Sequence, residues 1–340
     1  MKVLLVGANS NYAIERFYLK YMNDVPGIKA ELFEAQNIFL SYWQKSIFNK
    51  IVFRLGYQKI YSIINELLKE KIVNSKPDIL FVFKGMEVYP KTLIWVKKQG
   101  IKLVNYNPDN PFIFSGRGSG NNNLKNSIPL FDMHLTYNRE IKERMESVYK
   151  IPTEILPFGF DVSVGLFKEA CSEEEINRAC FLGNPDKYRS LFLLQLAEAG
   201  IEVDVYGSDW EKFVRHPKIK IFPPIYNKDL WLTLRKYRVQ VNLMRPHNLL
   251  SHNMRSFEVP AIGGIQLAPD TPDHRKYFDP GKEIFLYSDV AECARQIVFL
   301  QSLSMTEANE IRIQARRRCL QSDYSYKERS KQALSFIEKL

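Results

Sequence analysis

Short apolar runs alternate with stretches of helical periodicity along the whole chain. The runs in the first half are almost continuously apolar, which is typical of strands buried on both faces of a parallel sheet. We predict strands there at residues 3–6, 78–83, 102–106, 133–136 and 154–156. Apolar residues at helical spacing between these runs predict helices at residues 12–21, 58–73 and 91–99.

The same alternation begins again near residue 179. It predicts strands at residues 179–182, 201–207, 219–222, 239–243 and 265–267, and helices at residues 189–199, 229–237 and 253–261. Strands that alternate with helices in both halves indicate an α/β protein with two Rossmann-like parallel-sheet domains. Ligands of such sheets bind outside the carboxyl ends of the strands, so we expect the two domains to face each other across a cleft that holds the site.

Two loops are candidates for function. Gly7 directly follows the first strand, which is typical of a nucleotide-binding turn, but the later glycines of the full motif are absent. An ordinary strand-to-helix turn is the alternative. Residues 115–123 have almost no apolar content and predict a mobile loop, which is either functional or an ordinary surface loop.

Composition excludes several classes of protein. A hydrophobic fraction of 45% and a charged fraction of 25% exclude a disordered or collagen-like chain. The longest apolar runs are far shorter than the roughly 20 residues of a membrane-spanning helix, and the first residues read as a strand and not as a signal peptide. The four cysteines lack close metal-ligand spacing, so we expect reduced thiols and a cytoplasmic location.

The formal net charge of +10 favours an anionic partner. Four arginines follow helical spacing near the C-terminus: Arg312, Arg316, Arg317 and Arg318. We interpret them as a solvated helix face, with peripheral contact to an anionic membrane as the alternative. A nucleic-acid partner is not expected, because no recognised binding module occurs and the basic residues are scattered.

Several motifs in the second half resemble those of GT-B glycosyltransferases. Residues 156–161 (LPFGFD) resemble their interdomain P-x-G-x-D, and residues 181–189 resemble their donor loop, in which a glycine precedes an Arg or Lys. Residues 205–210 resemble the next glycine turn. Residues 254–264 and 277–283 are similar to the CgeB-like (spore maturation protein-like) branch, in which R-x-F-E-x-x-A-x-G precedes F-x-P-G-x-E.

The resemblance covers residues 156 to about 298 well, whereas the N-terminal half matches only in pattern and in the D-x-P-F of residues 109–112. It implies an acceptor-side domain at residues 1–157 and a nucleotide-sugar donor domain at residues 158–312. It also implies that residues 313–340 return to the N-terminal domain as a C-terminal helix.

The motif around Glu258 suits a nucleotide-sugar donor. One carboxylate can accept two charge-assisted hydrogen bonds from adjacent ribose hydroxyls, and Arg255 shares its helix face. Arg189 would add a second guanidinium for the diphosphate, and the helix start near Asn253 would offer backbone N–H groups. The alternatives are an ordinary surface pair of Arg255 with Glu258 and a solvated Arg189.

The donor-binding residues that we expect are Gly7, Asn9, Gly159, Gly183, Arg189, Gly207, Asp209, Tyr226, Asn242, Asn253, Arg255, Ser256, Glu258 and Gly263. On the acceptor side, Asp109 follows a strand and is the candidate general base, with ordinary turn chemistry as the alternative. We therefore expect Asp109 and Arg255 to be the catalytic residues.

One departure from the resemblance concerns the two glutamates that many retaining members carry. The first of them would fall at Leu250, which cannot stabilise charge, so the retaining or inverting outcome stays open. Other groups, such as His252 or backbone amides, would then face the sugar. No Asp-x-Asp signature indicates a metal site, so we expect neither a metal nor a bound cofactor.

The sequence therefore predicts a metal-independent glycosyltransferase of glycan biosynthesis. It would move a sugar from a nucleotide-diphosphate sugar, with UDP favoured, to a hydroxyl of a glycan, lipid-linked or protein acceptor. A sugar-nucleotide epimerase and a catalytically silent binding or scaffold protein on the same fold are the alternatives.

Overall fold

The computed structural model describes residues 1–11, 13–114 and 118–340. These residues form two compact units. The first unit contains Met1–Pro157 together with Tyr326–Leu340, and the second contains Phe158–Ser325.

The first unit contains one six-stranded parallel sheet. Its strands are β1 (Lys2–Val6), β2 (Lys29–Phe33), β3 (Ile79–Phe83), β4 (Lys102–Tyr106), β5 (Met133–Thr136) and β6 (Thr153–Ile155). Their order is β2-β1-β3-β4-β5-β6, and every neighbouring pair is parallel. All five residues of β3 are buried, as expected for a strand covered on both faces.

Helices connect these strands. They are α1 (Glu15–Met22), α2 (Ala35–Lys45), α3 (Ile47–Arg54), α4 (Lys59–Ser75), α5 (Pro90–Lys98), α6 (Asn122–Ser127) and α7 (Arg139–Arg144). A 3₁₀ turn follows α6, and a π-helical turn, Met145–Tyr149, follows α7. The sequence pattern did not predict β2, α2 or α3.

The predicted loop at residues 115–123 is only partly a loop. Residues 115–117 lie outside the described residues. Asn122 and Asn123 begin α6, because the Asn121 side chain accepts a hydrogen bond from Leu124 N and caps the helix.

The second unit repeats the architecture. Its strands are β7 (Ile176–Leu182), β8 (Val203–Tyr206), β9 (Ile219–Phe222), β10 (Tyr237–Val241), β11 (Gln266–Pro269) and β12 (Phe285–Tyr287). They form a parallel sheet in the order β12-β11-β10-β7-β8-β9. Its helices are α8 (Val164–Ser172), α9 (Lys187–Glu198), α10 (Asn227–Lys236), α11 (Arg255–Ala261), α12 (Pro272–Tyr277), α13 (Val290–Ser302) and α14 (Met305–Gln321).

The C-terminal arginines form the predicted solvated helix face only in part. Arg312 is buried and pairs with Glu175, which also pairs with Arg238. Arg316 donates to Ala261 O and lies over the Phe167 ring. Arg318 pairs with Glu283, and Arg317 is exposed. The prediction is wrong for Arg312 and Arg316, which tie α14 to the body of the second unit, whereas Arg317 and Arg318 are exposed.

The last helix, α15 (Tyr326–Ile337), packs against α1 and belongs to the first unit. Tyr326 stacks on Phe17 with ring centroids 4.7 Å apart. The boundary predicted at residues 312/313 falls inside α14, so the returning segment begins at Tyr326.

All four cysteines are free thiols; Cys171 is exposed, and Cys180, Cys293 and Cys319 are buried. No helix in the described ranges combines the length and apolar content that crossing a membrane requires.

Candidate functional site

Arg189 connects two strand ends at the carboxyl edge of the second sheet. Asp186 caps α9 by accepting from Arg189 N at 2.9 Å, which places Arg189 in the first turn of the helix. Its Nη1 donates to Asn184 O at 3.1 Å, and its Nη2 donates to Leu243 O at 2.8 Å. The guanidinium therefore ties the turn after β7 to the segment after β10.

Three guanidinium groups lie near one another at this edge. Burial, together with the positive charges of Arg245 and Arg255, lowers the pKa of Arg189 to about 10 against the opposing effect of Asp186. Arg245 has no hydrogen-bond or ion-pair partner among the side chains that the structure describes, and the sequence reasoning missed it. The signal was available, since Arg245 closely follows the end of a predicted strand. The edge is therefore strongly positive.

A small cavity lies within this arginine group. Its volume is about 40 Å³, and its lining includes Arg189, Asn242, Asn253 and Arg255. This volume holds one or two water-sized groups, so a nucleotide would extend beyond it.

Glu258 lies on α11 and pairs with Arg255, as the spacing of three residues along a helix dictates. The Glu258 side chain is only 6% exposed, and that of Arg255 is 26% exposed. Glu258 Oε2 accepts from Arg255 Nη1, and Oε1 accepts no hydrogen bond from the described residues. One carboxylate oxygen therefore remains available to a ligand hydroxyl.

The polar side chains beneath α11 form hydrogen bonds with one another. Asn253 Nδ2 donates to Asn242 Oδ1 at 2.7 Å, and Ser256 Oγ lies 2.9 Å from His274 Nε2. Burial lowers the pKa of His274 to about 4, so the ring is neutral, with Nδ1–H donating to Pro269 O. Asn242, Asn253 and Ser256 therefore fix the start of α11 and have little capacity left for a ligand.

The prediction of free backbone N–H groups at the start of this helix is wrong for three residues. Ser256 N donates to Asn253, and Phe257 N and Glu258 N both donate to Met254 O. The helix also begins at Arg255, two residues later than predicted, with Met254 as its N-cap. The positive charge at this edge comes from the arginine side chains.

His252 is an interior residue and does not face a ligand. Its ring is fully buried and packs against Phe158, Phe257 and Tyr277. Nε2 accepts from Phe158 N at 3.4 Å, so Nδ1–H donates to Asp273 Oδ2 at 2.7 Å. The expectation that His252 faces the sugar is therefore corrected.

Asp273 receives a second hydrogen bond, from Ser251 Oγ at 2.7 Å. Burial raises the pKa of Asp273, but the hydrogen bonds from His252 and Ser251 outweigh it and leave the pKa below its ordinary value.

Glycines permit close approach at the same sheet edge. A Cβ on Gly207 would lie 2.3 Å from Gly183 O, and Trp210 Nε1 donates to that same oxygen at 2.8 Å. Gly207 therefore allows the turns after β7 and β8 to touch. Gly159 is buried in the segment that precedes α8.

Gly263 does not lie with these glycines. It has a φ of +77° past the C-terminal end of α11, and a Cβ there would meet Phe167 and Arg235. Because the donor candidates Arg255 and Glu258 lie in the first turn, Gly263 stands at the wrong end of the helix. Its role is to end the helix.

Two predicted donor residues are exposed at strand ends of the second unit. Asp209 follows β8, has a φ of +65° and pairs with Lys212. Tyr226 follows β9, is half exposed and immediately precedes α10. Leu250 is 59% exposed.

The remaining predicted donor residues, Gly7 and Asn9, belong to the first unit. A Cβ on Gly7 would lie 2.5 Å from Glu15 Oε1, so this glycine makes room for a buried carboxyl. Asn9 N donates to Asn37 Oδ1 at 2.7 Å, and Asn9 Nδ2 donates to Glu34 Oε1 at 2.8 Å. Their assignment to a donor site stays a prediction.

Asp109 pairs with a lysine that the sequence reasoning missed. Lys84 follows β3 with a φ of +60°, and its Nζ lies 2.6 Å from Asp109 Oδ2. Asp109 N also donates to Asn107 Oδ1 at 3.0 Å, which is turn chemistry. Asp109 therefore both stabilises the turn and forms an ion pair with Lys84. The signal for Lys84 was its place after a strand, the same rule that identified Asp109.

Two buried carboxyls lie near Lys84. Burial raises the pKa of Glu87 to about 7; the charge of Lys84 lowers it, and that of Glu15 raises it. Burial also raises the pKa of Glu15 above its ordinary value. The carboxyl edge of the first sheet therefore contains a cluster of Glu15, Lys84, Glu87 and Asp109.

Sequence comparison finds one family model that matches part of the chain. A family model described as glycosyl transferase-like matches residues 189–335. No curated protein sequence matches the chain.

Solved structures resemble the whole chain at low sequence identity. The sucrose-phosphate synthase of Thermosynechococcus elongatus is 11% identical with a TM-score of 0.69, covering 100% of this chain and 98% of that one. Anabaena HepE in complex with UDP is 12% identical with a TM-score of 0.64, covering 100% of both chains. The UDP-GlcNAc 2-epimerase of Neisseria meningitidis bound to UDP-GlcNAc is 13% identical with a TM-score of 0.57, also covering 100% of both.

These similarities, together with the two parallel six-stranded sheets, confirm the predicted α/β class and the GT-B fold. A fold hosts many activities, so function has to be argued from the site. Within residues 1–11, 13–114 and 118–340, no three His, Cys, Asp or Glu side chains are grouped so that they could hold a metal ion.

Proposed function

We propose that the protein is a glycosyltransferase that moves a sugar from a nucleotide-diphosphate sugar, with UDP favoured, to an acceptor hydroxyl. The observation that carries this proposal is the group of Arg189, Arg245 and Arg255 beside Glu258 at the carboxyl edge of the second sheet. The glycosyl transferase-like match over residues 189–335 and the UDP complexes among the similar structures support it. We also infer a place in the CgeB-like branch from the motif around Glu258, and a cytoplasmic location.

Each part of this edge has a role in the proposed reaction. Glu258 Oε1 would accept a ribose hydroxyl, and Oε2 would accept a second one if Arg255 turned toward the phosphates. Arg245 and Arg255 would hold the diphosphate and offset the negative charge that develops on it as the sugar bond breaks. We infer that these guanidinium groups take the place of a metal ion.

On the acceptor side, Asp109 remains our candidate general base. Its Oδ2 accepts from Lys84 Nζ at 2.6 Å, so an acceptor hydroxyl would have to displace Lys84 or use Oδ1. Glu87 is a second candidate, because its pKa of about 7 suits proton transfer near neutrality.

Calorimetric titration with UDP, GDP, ADP and CDP tests the donor site. We expect UDP to bind most tightly and Glu258→Gln to weaken its binding by about tenfold, since the amide loses the charge on the acceptor oxygens. Glu198→Gln, on an exposed residue of α9, is the matched control and should bind like the wild type. Unchanged UDP affinity in a folded Glu258→Gln variant would remove the ribose assignment.

A sugar-nucleotide epimerase is the second candidate, favoured by the structural similarity to the Neisseria enzyme. Incubation with the donor alone separates the two activities, because an epimerase forms a new sugar nucleotide without an acceptor. Transfer that requires an added acceptor supports the first candidate. Nucleotide binding without any turnover would instead support a silent binding protein, to which the leucine at position 250 also points.

A further inference from the structure

Helix α3 carries an apolar face whose side chains are about half exposed or more. Ile47 is 75% exposed, Phe48 is 71% exposed, and Ile51 is 48% exposed; Leu55 and Tyr57, just beyond the helix, are each 70% exposed. Residues 47, 48, 51 and 55 share one side of a helix by their spacing. We call Ile47, Phe48, Ile51, Leu55 and Tyr57 the α3 apolar face.

The orientation of this face is fixed by packing on the opposite side of the helix. The Phe53 ring contacts Phe39, Trp43 and Tyr61 with centroids 5.1–5.7 Å apart. Asn49 Nδ2 donates to Tyr42 O at 2.7 Å, and Ser46 caps the helix through Asn49 N. The exposure of the α3 apolar face therefore follows from a docked helix and not from a loose one.

All the charged residues that flank the face along the chain are positive. No Asp or Glu occurs from residue 35 to residue 65, whereas Lys45, Lys50, Arg54 and Lys59 all fall in this stretch. None of the four has an ion-pair partner among the described residues, and Arg54 lies over the Trp43 ring. A short helix with exposed aromatic and aliphatic residues on one side, bordered by basic residues, is typical of contact with the surface of an anionic membrane.

We propose that the α3 apolar face binds the surface of an anionic lipid bilayer. At eight residues, or about 12 Å, α3 would lie in the plane of the interface with Phe48 and Ile51 among the acyl chains. The four cations would meet lipid phosphates. A second copy of the chain fits less well, because self-association would bring two unpaired basic clusters together.

This surface replaces the C-terminal arginines as the place of membrane contact. Of the C-terminal arginines, Arg312, Arg316 and Arg318 are bound to Glu175, Ala261 and Glu283, so they meet a phosphate less readily than the cations beside α3. The proposal does not depend on the transferase activity.

Sedimentation of the full chain with vesicles tests the proposal. We expect binding to vesicles of phosphatidylcholine with phosphatidylglycerol, weaker binding to phosphatidylcholine alone, and weakening by salt. The double variant Phe48→Ser/Ile51→Ser should lower the affinity by about tenfold or more, because two apolar side chains no longer partition into the lipid. A variant with Phe299→Ser, at an exposed phenylalanine of α13, is the matched control and should bind like the wild type.

The outcomes are distinguishable. Because the changed side chains are exposed, the double variant should keep the melting temperature of the wild type, which we would check first. Equal vesicle binding by wild type and double variant would overturn the proposal, as would absence of wild-type binding. A wild-type dimer that the double variant abolishes, measured by analytical ultracentrifugation without lipid, would also overturn it in favour of a second copy.

Discussion

The stability of the first unit depends on pH through Glu87. Burial raises its pKa from 4.5 to about 7, so the folded protein binds a proton that an unfolded chain would release. Stability is therefore full below about pH 4.5, falls as the pH rises from 4.5 to about 7, and is level above that. The shift corresponds to at most about 3 kcal/mol.

We predict that Glu87→Gln raises the melting temperature at pH 8 by a few degrees and has little effect at pH 5, since the amide removes the charge that burial disfavours. Thermal unfolding at the two pH values measures this. Glu143→Gln, on an exposed carboxylate, should change neither value. An equal effect at both pH values would mean that Glu87 does not titrate in this range.

Within the arginine group, we assign a structural role to Arg189 and a ligand-binding role to Arg245. Arg189 donates to two backbone carbonyls, whereas Arg245 donates to none in the part of the chain that the structure describes. We predict that Arg189→Ala lowers the free energy of unfolding by about 2–3 kcal/mol. Arg245→Ala should leave stability unchanged and weaken UDP binding by about tenfold. Chemical denaturation and calorimetry measure the two effects; a destabilised Arg245→Ala variant would contradict the division.

At the scale of elements, the turn after β8 depends on a glycine for steric reasons. A Cβ at position 207 would press against the backbone oxygen of Gly183, which cannot move without disturbing the Trp210 hydrogen bond. We predict that Gly207→Ala costs about 1–3 kcal/mol of unfolding free energy. Gly165→Ala in α8 meets no atom within 4 Å and should be neutral or slightly stabilising. Urea denaturation of both variants checks the contrast, and equal stabilities would contradict it.

Elements with strong periodicity were predictable, and those that depend on tertiary packing were not. The predicted strand at residues 102–106 and the predicted strand at residues 219–222 match β4 and β9. β2 was missed because its sequence, KAELF, mixes polar and apolar residues at the edge of a sheet. α3 was missed because it carries apolar residues on its exposed side as well as its packed side, which hides the helical period.

The sequence predicted which residue types lie at the candidate site. It did not predict which of them bond to each other and which stay available to a ligand. The pairing of Arg255 with Glu258 follows from helical spacing. Sequence reasoning could not tell that Asn242, Asn253 and Ser256 bond to each other, because such networks depend on how separate elements pack. Arg245 and Lys84 were missed although both follow strands.

At the scale of the whole molecule, the chain leaves the first unit at Pro157 and returns to it at Tyr326. Tyr326 is almost fully buried and contacts Phe17 and Tyr18 of α1. We predict that Tyr326→Ala lowers the unfolding free energy of the first unit by about 3–5 kcal/mol, because it leaves a large cavity. Differential scanning calorimetry should show one transition moved down in temperature and the other unchanged.

Lys327→Ala, at an exposed position on the same helix, is the control and should leave both transitions in place. A single cooperative transition that Tyr326→Ala shifts as a whole would show that the two units unfold together.

The position of α15 bears on synthesis at the ribosome. The second unit can fold as soon as residue 325 has emerged from the exit tunnel, whereas the first, although translated earlier, lacks its aromatic partner until residues 326–340 follow. Until then, the surface of α1 that α15 covers stays exposed on the nascent N-terminal half. We expect chaperones to bind that surface.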